Sequence, residues 1–286
     1  MRILITGASG QLGTDLCRVL TVHHVISCTH EDLEITDADQ VRSVVSEHHP
    51  DVVINTAAYH KVDECESFPE KTFAVNAIGP RNLAVACRDA DIILIHISTN
   101  FVFDGYGERP YREDDLPLPL SVYGTAKLAG EHLVRSIWKR HFLIRTTGLY
   151  GHSKGAGGKG HNFIELMIKL GKECGRVTVV NDQVISPTST ADLAQALFGL
   201  LTSDFYGTYH ITNSGSCSYF NFARTIYEKT GLDAEVIATT TTAFGAAAAR
   251  PLYTVLDNSH VQSIGIPALP SWEEALDRYL ENGKCT

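Results

Sequence analysis

The stretch Met1-Arg-Ile-Leu-Ile-Thr-Gly-Ala-Ser-Gly-Gln-Leu-Gly13 decides how the chain is read. Ile3, Leu4 and Ile5 form a short apolar run, the pattern of a buried parallel strand. Gly7, Gly10 and Gly13 follow, and Leu12, Leu16, Val19 and Leu20 then recur at helical spacing. Strand, glycine turn and helix are the context a dinucleotide-binding loop requires. Gly7 permits the tight turn, Gly10 lets the backbone approach a pyrophosphate, and Gly13 lets helix and strand pack closely. The new helix offers free N–H groups and a positive dipole end to phosphates. The spacing is GxxGxxG, not GxGxxG, so the place of the glycines after a hydrophobic strand carries the reading.

Outward from this stretch, Val25-Ile-Ser27 reads as a second strand. An acid at its end, about 20 residues past the first glycine, would bind a ribose hydroxyl. Cys28, Thr29 and His30 stand there, with Glu31 and Asp32 just beyond. With no acid at 28–30 to repel a 2′-phosphate, NADPH is expected to be tolerated alongside NADH. Thr36 or Asp37 can cap a helix carrying Val41, Val44 and Val45. Val52-Val-Ile-Asn-Thr-Ala-Ala58 is a third buried strand. Its small terminal residues either leave room for a cofactor or simply pack closely. A long helix is expected from Pro69 to Arg88. Asp91-Ile-Ile-Leu-Ile-His-Ile97 then delivers Ser98-Thr99-Asn100 at the strand edge where open α/β sheets bind ligands.

Residues 100–120, rich in glycine, proline and acids, read as a loop. Ser121 can cap a helix through Val134, and Phe142-Leu-Ile-Arg-Thr146 is a further strand. This alternation predicts an α/β fold, a Rossmann-like doubly wound parallel sheet over residues 1–150. The character then changes. Gly151–Gly160, with Lys154 and Lys159, reads as a mobile glycine-rich loop. Helices are expected at 162–174, 192–201 and 219–230, strands at 177–180 and 208–212, and a final helix capped by Ser271. The threonine and alanine tract 239–249 reads as loop. Residues 151–176 and 203–286 are therefore expected to form a smaller, interleaved C-terminal substrate-binding part, with 177–202 returning to the first domain.

Composition narrows the function classes. A formal charge of -9 argues against nucleic acid or an anionic membrane as partner. No signal-like segment precedes the first strand and no apolar run approaches ~18 residues, so a cytoplasmic protein is expected. The seven cysteines are widely spaced without a CxxC, which suits reduced thiols. The thirteen histidines include no HxxxH or HExxH, and no metal site is expected. No pattern specifies an oligomer.

Tyr123-Gly-Thr-Ala-Lys127 is a YxxxK, an i, i+4 pair on one helix face. An ammonium near a phenol favours phenolate and lowers its pKa towards the working pH, which suits a general acid that turns a carbonyl into an alcohol. Tyr150-Gly-His-Ser-Lys154 matches equally, but it runs into the glycine-rich loop, where helical geometry is not expected. Thr99, at a strand end, could hydrogen-bond the same substrate oxygen or cap a local turn.

The glycine turn, Thr99 and Tyr123-x-x-x-Lys127 together resemble the extended short-chain dehydrogenases/reductases. Ser98-Thr-Asn-Phe-Val-Phe-Asp-Gly105, Val122-Tyr-Gly-x-x-Lys-x-x-Gly-Glu131, Ile144-Arg-Thr146, Asn162-Phe163 and Asp182-Gln-x-x-Ser-Pro-Thr188 narrow the likeness to the dTDP-4-dehydrorhamnose reductase family. So do Val62-Asp63, Asn76 and Arg250-Pro251. The resemblance spans nearly the whole chain. It implies reduction of the C4 ketone of a nucleotide-linked 6-deoxysugar by NADPH or NADH, with Tyr123 giving the proton and Lys127 and Thr99 assisting. It implies cofactor contacts from Gly7, Ser9, Gly10, Gln11, Leu12, Gly13, Thr29, Ala57, Ala58, Tyr59, Asn76 and Ser98, besides Tyr123 and Lys127. It implies substrate contacts from Asn100, Phe101, Val102, Gly148, Asn162, Phe163, Pro187 and Arg250. The chain departs from the family pattern at Asn100-Phe101 (usually Asp-Tyr), Gly148 (usually Trp) and Ile185 (usually Gly), all on the substrate side. The competing readings are a sugar-nucleotide epimerase, a 4,6-dehydratase, whose acid pair after the threonine is missing here, and a non-catalytic NADP-binding subunit resembling the methionine adenosyltransferase β subunit.

Overall fold

The computed structural model describes residues 1–153 and 162–282. Ile3, Leu4 and Ile5 are fully buried in strand β1 (Arg2–Thr6), and helix α1 (Gln11–Val19) follows the glycine turn. Strand β2 (His24–Cys28) leads to helix α2 (Ala38–His48), which Asp37 caps by accepting from the backbone N–H groups of Asp39 and Gln40. Strands β3 (Val52–Asn55), β4 (Ile93–Ile97) and β5 (His141–Arg145) complete the expected core. A sixth strand, Gly207–His210, lies beside β5. The order is Gly207–His210, β5, β4, β3, β1, β2, all parallel. Strand order reverses at β1 and β3, and such a switch point opens a ligand crevice at the carboxyl ends.

The two faces of β1 separate its side chains. Ile3 and Ile5 pack with Leu12 and Leu16 of α1 and with Leu193, Leu197 and Leu200 of the helix Thr190–Leu200. Leu4 packs on the other face with Val41, Val45, Leu83 and Val134. Each such aliphatic side chain taken from water stabilises the fold by roughly 1.5–3 kcal/mol. A separate cluster of Ile164, Met167, Phe222, Ile226, Trp272 and Leu276 holds the second lobe.

Four expectations change. Strand Arg176–Val180 does not return to the main sheet: it pairs in parallel with Glu235–Thr239, because its alternating buried residues face the second-lobe helices. Helix Thr190–Leu200 does return, against α1. The strand expected at 208–212 belongs to the main sheet, where Tyr209 and Ile211 join the first core. The tract 239–249 contains a short helix, Thr241–Phe244, capped by Thr240 and tied by Thr241 to Asp182. The expected 69–88 helix is interrupted by a wide turn at Ala74–Ile78 of the π type, which often marks functional positions. Lys154, Lys159 and most of the Gly151–Gly160 loop lie outside the described residues, as does Cys285.

Candidate active site

The glycine turn is built by close approach. Gly7 has φ +68°, and a Cβ there would stand 2.8 Å from the Ala57 nitrogen. A Cβ on Gly13 would stand 2.5 Å from the Gly7 carbonyl oxygen. Residue 7 is therefore glycine because the Ala57 backbone packs on it. Gly10 is the N-cap of α1 and has no side chain to satisfy the first-turn amides of Gln11 and Leu12. A backbone cradle with uncapped donors suits a pyrophosphate, so the residues present fit a dinucleotide. Gln11 adds a buried Oε1 without a hydrogen-bond partner among the described residues. Ser9 lies in the same turn.

At the β2 end, the Thr29 N–H and hydroxyl both donate to Asp32, at 2.8 and 2.7 Å. Those donors hold the Asp32 carboxyl below the usual carboxylate range. An acid thus stands beside Thr29 although none occupies 28–30. Beyond β3 and Ala58, Asn76 in the wide turn brackets Tyr59: its Oδ1 accepts from the Tyr59 N–H at 3.1 Å and its Nδ2 donates to the Tyr59 carbonyl at 2.9 Å.

The helix Val122–Ile137 begins at Ser121, whose hydroxyl accepts from the Gly124 N–H at 3.2 Å. It carries Tyr123 and Lys127 on its buried face. Thr99, just past β4, lies beside Tyr123, so strand end and helix start meet. Burial pushes the Tyr123 phenol up to about 12, and the neighbouring Thr99 hydroxyl pulls against that rise. This corrects the lowered pKa expected from the i, i+4 pair. The Lys127 ammonium is engaged elsewhere, donating to the Ile97 carbonyl at 2.6 Å. Burial pushes Lys127 down to about 8, with Glu131 opposing. A phenol kept protonated remains available as a proton donor. Thr99 also caps the turn Asn100–Val102, accepting from the Phe101 N–H at 3.2 Å, so its capping reading is realised.

The remaining positions divide. Phe101 packs its ring edge on Tyr123 at 5.6 Å. The Asn100 amide is committed, donating to Thr254 at 2.7 Å and tying the site to the second lobe. Gly148 has φ +59°, and a Cβ there would stand 2.8 Å from Ile185 Cδ1 and 3.2 Å from Pro187 Cα, so two of the family departures touch one another. Val102 is a core residue with Phe103, Tyr111 and Leu256, its side chain fully buried. The Ser98 hydroxyl donates to Glu131 at 2.5 Å. Asn162 caps the helix Phe163–Cys174 and donates to Tyr279 at 2.8 Å. Phe163 stacks on Phe222 at 5.3 Å. Arg250 forms a forked ion pair with Asp63, at 3.0 and 2.7 Å. The side-chain groups of Val102, Ser98, Asn162 and Arg250 thus each have partners within the protein. Tyr150 sits in a two-residue strand, 1% exposed, and burial pushes its phenol far up, which sets it apart from Tyr123.

Sequence reasoning missed His96, Asn55 and Glu131, all buried beside Lys127 or beneath it. For His96 and Asn55 the available signal was a polar residue in or at the end of an apolar strand run, whereas Glu131, on the helix Val122–Ile137, stood in the family motif without a role. Among the described residues no cluster of metal ligands occurs, no helix is long and apolar enough to cross a membrane, and six cysteines are free thiols.

Fold and site together define a nicotinamide-dependent oxidoreductase of the short-chain dehydrogenase/reductase type. The chain matches the family model described as RmlD substrate binding domain over residues 1–285, and it belongs to that family. It is 43% identical over 284 residues to a dTDP-4-dehydrorhamnose reductase of Streptomyces griseus, covering 96% of this chain and 91% of that one. It is 40% identical over 282 residues to the spore coat polysaccharide biosynthesis protein SpsK of Bacillus subtilis, covering 98% and 97%. The crystal structure of dTDP-4-dehydrorhamnose reductase from Bacillus anthracis in complex with NADP superposes with a TM-score of 0.94 at 40% identity, over 98% of this chain and 99% of that one.

Proposed function

We propose that the chain reduces the C4 ketone of a nucleotide-linked 6-deoxysugar with NADPH or NADH, converting dTDP-4-dehydro-L-rhamnose to dTDP-L-rhamnose. The observation that carries this is the meeting of Thr99 and a protonated, buried Tyr123 at the carboxyl edge of the same sheet that bears the glycine cradle. The nicotinamide supplies the hydride when bound. Thr99 and Tyr123 would hydrogen-bond the ketone oxygen, and Tyr123 gives its proton as negative charge develops there. Lys127 in its ammonium form favours the phenolate left on Tyr123. Gly7, Gly10 and Gly13 shape the pyrophosphate site, with Gln11, Leu12, Thr29, Tyr59 and Asn76 beside it. The Gly148–Ile185–Pro187 contact and Phe101 are the substrate-side features expected to select the sugar. The negative net charge argues against a nucleic-acid or anionic-membrane partner. A panel of nucleotide-linked 4-keto sugars, each assayed for oxidation of NADPH and of NADH, tests the reading. Turnover of dTDP-4-dehydro-L-rhamnose is expected. Cofactor binding without turnover of any 4-keto sugar would refute it and favour a non-catalytic subunit.

A further inference from the structure

Beneath the catalytic helix, three buried polar residues stand in one row across the sheet. Thr6 of β1 is in register with Asn55 of β3, and Asn55 with His96 of β4. None is more than 1% exposed. In such surroundings each donor needs an acceptor, and the orientation of every group can be worked out from its neighbours.

The fixed point is the backbone N–H of Ala57, which can only donate. It lies 3.1 Å from Asn55 Oδ1, and the Thr6 hydroxyl donates to the same oxygen at 2.7 Å. The Asn55 oxygen therefore faces β1, and its Nδ2 faces His96. Nδ2 can also only donate, and it lies 2.9 Å from His96 Nδ1. That ring nitrogen must accept, so the neutral imidazole carries its hydrogen on Nε2. Burial first, then the charges of Lys127 and His141, hold His96 well below the usual histidine range, so the ring stays neutral. Nε2 lies 3.5 Å from Lys127 Nζ. An N–H thus faces the lysine where an acceptor would be needed to hold an ammonium.

We propose that His96 is a positioning residue that sets the proton affinity of Lys127, its Nε2–H tautomer being fixed through Asn55 by the Ala57 amide. The proposal rests on the reading of Tyr123 and Lys127 as the pair that handles the proton. The other groups around the pair are few. The Ile97 carbonyl accepts from Nζ at 2.6 Å. Glu131, one turn further along the helix, favours the ammonium, but its carboxylate already accepts from Ser98, Arg145 and Arg135. His141 of β5 acts on the His96 side, and Cys65 acts on Tyr123. Burial and the imidazole N–H therefore pull Lys127 in the same direction, against Glu131. Since the ammonium favours the Tyr123 phenolate, the pH at which Lys127 loses its charge limits turnover from above, and His96 brings that limit down.

Two measurements test this. Long-range proton–nitrogen correlation spectra of the ring-labelled protein without added ligand should show His96 protonated on Nε2 and bare on Nδ1 at neutral pH. A proton on Nδ1 would overturn the proposal, and this reading needs no variant. In His96→Gln the side-chain amide can rotate its oxygen towards the ammonium. The alkaline limb of kcat for dTDP-4-dehydro-L-rhamnose with NADPH should then move up by about one pH unit. An unmoved limb in that variant would overturn the proposal. Tyr123→Phe, measured in parallel, separates the layers. Lost turnover there with an unmoved limb in His96→Gln removes the role of His96 alone, whereas retained turnover removes the reading of the pair and the proposal with it.

Discussion

Glu131→Gln is expected to cost more stability than any exposed charge change in the chain. Glu131 is fully buried, and Arg145 is 1% exposed. Arg145 donates to its carboxylate through Nε at 3.0 Å and Nη2 at 2.7 Å, and Ser98 donates at 2.5 Å. A glutamine keeps the volume but turns one acceptor into a donor and removes the counter-charge. Breaking a buried pair from one side costs about 3–5 kcal/mol. The upper half of that range applies, because the remaining contacts of Arg145 are weak: the Phe103 ring at 5.2 Å, the Glu113 carbonyl at 3.4 Å and His210 Nε2 at 3.5 Å. The Arg135 contact, whose side chain is 38% exposed, adds ~0–1 kcal/mol. Urea unfolding followed by tryptophan fluorescence reads the first lobe through Trp138, next to this helix. A loss under about 1 kcal/mol would refute the account, since it would mean that Arg145 needs no buried partner. The double variant Glu131→Leu with Arg145→Met should lose less than Glu131→Gln alone, because it removes both charges together.

Other outcomes follow from the same geometry. Tyr123→Phe should keep fold and cofactor binding but slow single turnover by about 100-fold or more; a near-normal rate would contradict its role as acid. Tyr150→Phe should leave turnover close to normal and cost little stability, because the Tyr150 hydroxyl has no hydrogen-bond partner among the described residues; thermal unfolding and the same kinetic assay check both. Gly10→Val would put a branched side chain at the N-cap of α1, and calorimetry should show NADPH affinity reduced by about tenfold or more; unchanged affinity in the folded variant would remove the cradle. Reduction needs Lys127 charged, so kcat should be flat below the lysine pKa and fall as pH rises through about 8, which a kcat–pH profile checks.

What was legible in the sequence is what local patterns determine. The run Ile3–Ile5 with its glycines defined β1, the turn and α1, and Ser121 with the spacing after it defined the catalytic helix. Pairing partners were not legible. Gly207–His210 joins β5 although they are far apart in sequence, and the alternation of Tyr209 and Ile211 with polar residues suits either lobe. Glu235–Thr239 keeps its side chains exposed or half-buried, so no alternation announced a strand. At the site, the i, i+4 rule placed Tyr123 and Lys127 on one face but not the direction of the Tyr123 shift. That direction depends on burial, which outweighs the Thr99 hydrogen bond. Arg250 and Asn162 fitted a family pattern as substrate residues, yet each also had a structural partner, Asp63 or the start of a helix, that only the fold reveals.

The buried row explains why the cradle and the catalytic helix act as one unit. Thr6 immediately precedes Gly7, Asn55 lies just before Ala57, and His96 lies just before Ser98 and Thr99. The three strand ends that bear the site are thus tied to one another one or two residues below it, by side-chain hydrogen bonds of 2.7 and 2.9 Å in addition to the backbone ladder. An apolar row would pack as well, but it would not fix the orientation of Asn55 or the tautomer of His96. Such a row contributes little net stability per bond, about 0.5–1.5 kcal/mol, while a slip of any strand would leave several buried groups unpaired at about 1–3 kcal/mol each. It therefore acts on geometry more than on stability. The glycine turn after β1 and Thr99 after β4, which lies beside Tyr123, are thereby held in one register through β3, so the proposed pyrophosphate site and the proposed proton donor keep a fixed relation.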